Sequence, residues 1–104
     1  HFLSGHIDTV SEIITYEPMG ADHKLEILLP GNMAHLVIAK GSISVDGISL
    51  TIAEVNDKNG SFTCFITPHT HENTNLKETN KGAQVNLEFD LIAKHVERLI
   101  NYQK

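Results

Sequence analysis

The chain has 104 residues, 40% of them hydrophobic and 20% charged, with a formal net charge of −5 at pH 7. Those values fit one soluble globular domain with one core, and no apolar run approaches the ~20 residues a membrane helix needs. The 8 Lys and Arg residues are scattered singly, which excludes the basic stripe of a nucleic-acid binder.

Thr9 to Ile14 mixes apolar and polar residues and reads as a strand. Lys24 to Leu29 alternates Leu25, Ile27 and Leu29, then stops at Pro30-Gly31, a turn signal. Met33 to Ile38 reads as one helical turn feeding a strand. Lys40 to Val55 is KGSISVDGISLTIAEV, and its alternation changes phase. Ile43 and Val45 occupy odd positions; Ile48, Leu50 and Ile52 occupy even ones, with Asp46-Gly47 at the break. Asp-Gly suits a two-residue type I′ hairpin turn, which needs positive φ at both positions. A β-bulge at Gly47 shifts the phase equally well. Either device keeps both apolar sets facing one core.

Asn56 to Gly60 is a second turn. Ser61 to Thr67 returns as a strand with Phe62, Cys64 and Ile66 on one face, and Pro68 ends it or places it at an edge. Thr70 to Thr79 is polar and reads as a loop with a helical turn. After the turn Asn80-Lys81-Gly82, Val85, Leu87 and Phe89 alternate as the last strand. Asp90 is a suitable N-cap for a helix from Leu91 to Tyr102. Ile92, Val96, Leu99 and Gln103, with Leu91 and His95 beside them, follow its 3.6-residue spacing. Many short strands with tight turns imply a small barrel or sandwich. The chain opens at His1 rather than Met, so it is expected to be a piece of a longer one.

Three groups of residues could carry chemistry. His69 and His71 form H-T-H, which on a strand would share one face, but no third or fourth ligand accompanies them. Two surface histidines and no metal is the reading preferred. Ser49 and Thr51 share one strand face, which is either solvated or lines a ligand cleft. His6 follows Gly5, and is either structural or a general base beside backbone that approaches a ligand closely. The lone Cys64 is expected to be a buried thiol. Nothing points to an oxidising compartment, and a cytoplasmic location is expected.

S-G-H-I-D from Ser4, K-G-S-I-S-V-D-G-I-S-L-T from Lys40, and V-N-L-E-F-D-L-I-A-K-H-V-E-R-L from Val85 resemble riboflavin synthase. The resemblance spans this whole chain but only half of the family's, which has two tandem barrels and a C-terminal helix. It implies an all-β fold: a six-stranded antiparallel barrel of Greek-key type with short helical turns and a C-terminal α-helix. Residues 1–89 would be the second lumazine-binding barrel, and residues 90–104 an oligomerisation helix. The family's first barrel opens with a Met-Phe-Thr-Gly-Ile type strand and has cysteine at the position of Ser49. Neither is present, which fits the second half.

The resemblance also implies a reaction. Two molecules of 6,7-dimethyl-8-ribityllumazine dismutate to riboflavin and a ribitylamino-pyrimidinedione, without metal or redox cofactor. The site would lie between this barrel and the first barrel of a neighbouring family chain, in a homotrimer. Carried over residue by residue, Gly5, His6, Ile7, Lys40, Ser49, Leu50, Thr51, Phe65, Ile66, Thr67, Pro68, His69, Thr70 and Asp90 would bind substrate. Ile7, Leu50 and Ile66 would wall the ring. Thr67 and Thr70 would meet its polar edge, and Lys40 and Asp90 the ribityl chain. His6, Ser49 and Thr51 would position water or shuttle protons. The alternatives are a lumazine- or flavin-binding half without turnover, and an oligomerisation module.

Overall fold

The structure is a computed structural model that describes residues 6–102. Gly5 and Gln103 lie outside the described residues. Seven strands form one antiparallel sheet: β1 (Thr9–Met19), β2 (Asp22–Leu28), β3 (Ser42–Val45), β4 (Ile48–Thr51), β5 (Glu54–Asn56), β6 (Ser61–Ile66) and β7 (Gln84–Phe89). Two helices follow in the places where strand patterns stop, α1 (Pro68–Asn73) and α2 (Leu91–Tyr102). Short 3₁₀ turns occupy Gly31–Leu36 and Asn75–Glu78.

The sheet order is β4-β3-β7-β1-β2-β6-β5. Its two outermost strands are consecutive in sequence, so the covalent chain itself joins the ends of the sheet into a barrel. Ile52 and Ala53 make the junction. The Ile52 N–H donates to Gly41 O at 2.8 Å, on the β3 side, and the Ala53 N–H donates to Thr63 O at 2.8 Å, on the β6 side. Counting Ile48–Asn56 as one broken strand gives the six staves read from the sequence; the break is where that strand changes neighbours.

The phase change at Asp46-Gly47 resolves as a turn. Both residues have positive φ, 49° and 81°, the requirement of type I′. The register then pairs Val45 with Ile48 and Ile43 with Leu50, so both apolar sets point inward. Ile13, Leu25, Ile27, Ile43, Val45, Phe62, Cys64, Leu87 and Phe89 are wholly buried. Each large apolar side chain so buried contributes about 1.5–3 kcal/mol relative to exposure. The first strand runs past Ile14 to Met19. A register shift between Ile13 and Thr15 bends it, and its two halves pair with β7 and β2 respectively.

Asp8 fastens the start of the barrel to its end: its Oδ2 accepts the Phe89 N–H at 2.8 Å and lies 3.2 Å from Lys94 Nζ. Helix α2 packs against the Gly31–Leu36 turn, where His35 and Glu97 form an ion pair. Val96, Leu99 and Ile100 stay more than half or half exposed, at 50%, 58% and 54%. No helix among the described residues is long and apolar enough to cross a membrane.

Candidate functional site

Core side chains fill the barrel interior, as expected for so few strands, so a ligand must meet the outer surface. On β4, β3 and β7 that surface is polar. Ser49 pairs with Ser44, and Ser44 with Glu88, giving one row across three strands. Thr51 pairs with Ser42 in the next row, and Ser42 shares a groove with Asp90. Ser49 and Thr51 are exposed, whereas Ser44 and Glu88 are only 4% and 7% exposed. Four hydroxyls and two carboxylates thus lie on one face, a suitable lining for a polyol.

The seam between β4 and β6 adds main-chain groups. Hydrogen-bonding direction alternates along an antiparallel strand. Ile52 bonds toward β3, so Leu50 and Ile48 do too, while Ser49 and Thr51 direct their N–H and C=O groups toward β6. On β6, Thr63 O receives the closing bond from Ala53; Phe65, two residues on, directs its groups the same way. Among the described residues, the β5–β6 register stops at Glu54–Thr63. Beyond it, β4 and β6 come within 8 Å by Cα without a ladder between them. Two polar backbone edges therefore face each other across an unzipped seam.

The chain after the seam is a short helix rather than a loop. Thr67 is its N-cap: Oγ1 accepts the Thr70 N–H at 3.3 Å and the Thr67 carbonyl accepts the His71 N–H at 2.9 Å. Pro68 sits at N1, where its missing N–H is harmless. The helical geometry also separates the two histidines of H-T-H. His69 is exposed beside Asn73, whose Nδ2 donates to the His69 carbonyl at 2.8 Å. His71 turns toward the barrel, with Nδ1 2.8 Å from Tyr16 Oη. No three His, Cys, Asp or Glu side chains gather among the described residues.

The residues expected at the site do not all come together. Ser49, Thr51, Phe65, Thr67, Pro68 and Thr70 meet at or beside the seam; Phe65 is 43% exposed. Ile7 stands apart across β3 and is 61% exposed. It borders a groove of about 540 Å³ with Ser44, Asp46, Asn86 and Glu88, and exposed His6 precedes it. Leu50 and Ile66 direct their side chains into the core. Lys40 is exposed, with φ of 70° and its N–H donating to Ile52 O at 2.6 Å. Sequence reasoning passed over Ser42, Ser44, Asp46 and Glu88. Their signals were the alternation Ser-Ile-Ser opposite Ser-Leu-Thr, and Glu88 two residues before Asp90. Burial pushes the Cys64 thiol up to about 12, so the one cysteine is a core residue and not a nucleophile.

Residues 4–90 match the lumazine binding domain family. Riboflavin synthase of Mycobacterium bovis (strain ATCC BAA-935 / AF2122/97) is 40% identical over 101 residues, covering 96% of this chain and 50% of that protein. Riboflavin synthase of Actinobacillus pleuropneumoniae is 39% identical over 100 residues, covering 96% and 46%. The chain spans about half the length of these curated relatives. The crystal structure of LumP complexed with 6,7-dimethyl-8-(1′-D-ribityl) lumazine superposes with a TM-score of 0.77 at 23% identity, over 83% of this chain and 48% of that one; it shares the fold.

Proposed function

This chain belongs to the lumazine binding domain family, and from that premise we propose that it is the second barrel and C-terminal helix of a riboflavin synthase. The observation that carries the reading is the identity of 40% to a riboflavin synthase across 96% of this chain. The seam and the polar face beside it supply what a ribityllumazine requires. Backbone donors and acceptors match the carbonyl and ring-nitrogen edge of the heterocycle, and hydroxyls and carboxylates match the ribityl chain.

The reaction is a transfer of a four-carbon unit between two 6,7-dimethyl-8-ribityllumazine molecules, yielding riboflavin and 5-amino-6-ribitylamino-pyrimidinedione. The atoms of two substrates equal those of the two products, so no external oxidant or reductant enters. This barrel supplies one of two lumazine sites, and a first barrel of the same family supplies the other. Ser49 and Thr51 hold the ring by hydrogen bonds, and His6, across β3 from them, shuttles through water the proton taken from the acidic C7 methyl group. Holding two rings face to face accounts for much of the acceleration. A barrel alone therefore binds ligand and turns over little. Helix α2 joins subunits of a homotrimer, in the cytoplasm.

The test is a fluorescence titration of the chain with 6,7-dimethyl-8-ribityllumazine and with riboflavin, alongside an assay of riboflavin formation with and without a covalently attached first barrel. Binding by the chain and turnover by the two-barrel protein support the proposal. Binding with no turnover in the two-barrel protein leaves a binding protein instead. No perturbation of either ligand's fluorescence removes the ligand altogether and leaves assembly as the role.

A further inference from the structure

We propose that His71 is a positioning residue, which through its docking on Tyr16 and His23 sets the Thr67–Thr70 edge of the ligand surface. This rests on the ligand reading given above. Helix α1 has six residues and buries none of them, so hydrophobic packing does not fix its orientation. It is held in front by the Thr67 cap and behind by Thr74, whose Oγ1 donates to the Thr70 carbonyl at 2.6 Å, with Leu76 buried just beyond. Its grip on the barrel wall is the His71 ring.

That ring lies in a three-ring stack at the end of the β1–β2 hairpin. His71 and His23 are parallel within 7°, with centroids 3.9 Å apart. Tyr16 stacks on both, at 5.1 Å from His23 and 5.8 Å from His71. The Tyr16 hydroxyl and His71 Nδ1 are 2.8 Å apart. Burial holds the Tyr16 phenol above its ordinary range, so Oη keeps its proton and donates to Nδ1 when Nδ1 carries none. His23 pairs with Ile66, the residue before Thr67, so the stack stands beside the main chain that it orients. Buried His23 Nδ1 lacks a hydrogen-bond partner; its ring contributes here through packing, and the directional contact is the one between Tyr16 and His71. An apolar side chain in place of His71 would fill space without fixing the angle.

The experiment titrates 6,7-dimethyl-8-ribityllumazine into the full chain and into His71→Leu, His71→Asn, Tyr16→Phe and the His71→Leu/Tyr16→Phe double variant. His71→Leu is expected to weaken binding about five- to tenfold, the equivalent of one net hydrogen bond. Asn places an amide oxygen near the position of Nδ1 and should recover most of the loss. The double variant should be no worse than His71→Leu, because both changes break one contact. Wild-type affinity in His71→Leu, no recovery with Asn, or additive losses would overturn the positioning role while leaving ligand binding intact. Should His71→Leu fail to fold, Tyr16→Phe is isosteric, and wild-type affinity in it overturns the role by itself. Absence of binding by the wild-type chain would overturn both this inference and the reading on which it rests.

Discussion

Asp46 and Asn86 exchange two hydrogen bonds: the Asp46 N–H donates to the Asn86 carbonyl at 2.8 Å, and Asp46 Oδ1 accepts the Asn86 N–H at 2.7 Å. The pair ties the β3–β4 turn to β7, beneath the outer polar rows. Asp46 also has positive φ, which Asp and Asn tolerate better than other side chains. Asp46→Ala should lower stability by about 1–2 kcal/mol, from a lost charge-assisted hydrogen bond and a strained backbone. Asp46→Asn keeps the acceptor and should lose about half of that or less. Urea unfolding of both variants checks the ordering; equal losses would show that the side-chain bond contributes nothing.

The Ala53 N–H bond to Thr63 is the closing stitch beside the open seam. Ala53 is exposed, so replacing it changes little besides the backbone. Ala53→Pro removes the donor and should cost about 1–3 kcal/mol, whereas Ala53→Ser should stay within about 0.5 kcal/mol of wild type. If the two variants melt together, the barrel does not depend on this junction.

Much of the fold was legible because burial imposes period-two alternation on each strand, and Asp-Gly dictates its own turn. Phe62, Cys64 and Ile66, and Val85, Leu87 and Phe89, took the inward positions that the pattern implied. What was not legible is non-local. Nothing in the nine residues Ile48–Asn56 says that the first part pairs with β3 and the rest with β6. Pro68 ends the strand, as its missing N–H implies, but it also starts α1, because Thr67 ahead of it caps the helix. Likewise Ser44 and Glu88 occupy outward strand positions, where alternation predicts solvent, yet they are neighbours across β3 and β7 and are buried.

Substitutions at Ser49 and His6 test the proposed catalysis apart from folding. Ser49 is exposed, and Ser49→Ala should change stability by less than about 0.5 kcal/mol. In the two-barrel protein it should lower turnover about tenfold, on the order of one hydrogen bond to the ring. His6→Gln should lower turnover near the lower end of the 10²–10⁴-fold range of general acid–base groups. Single-turnover kinetics with circular dichroism as the folding control decide the matter. Unchanged rates in both would move the chemistry wholly onto the other barrel.

Cys64 predicts a pH dependence with a definite sign. A free thiol ionises near 8.5, while the folded chain holds this one at about 12. The native state thus binds the proton more tightly than the unfolded state. Stability from this group is intact below about pH 8.5 and falls as pH rises from there toward 12. At pH 8 the folded protein should resist alkylation, with labelling that keeps pace with unfolding in urea. Rapid labelling of the native chain would mean the thiol is accessible.

The uncovered face of α2 bears on assembly. Leu99 is 58% exposed between Val96 and Ile100. In the proposed trimer it lies at a subunit contact, so Leu99→Lys should shift sedimentation of the full-length protein toward smaller species while leaving its circular dichroism intact. An unchanged oligomer would assign that face to solvent.

The clasp of Asp8 on Phe89 brings the entrance and exit of the barrel to one corner. A unit whose two ends emerge together can be duplicated head to tail by a short connector, with no loop of either copy rerouted and no strand order disturbed. The same closeness suits circular permutation: bridging the corner and cutting the exposed turn at Lys58-Asn59 preserves every strand pairing. Gene duplication would therefore encounter little topological resistance in this barrel.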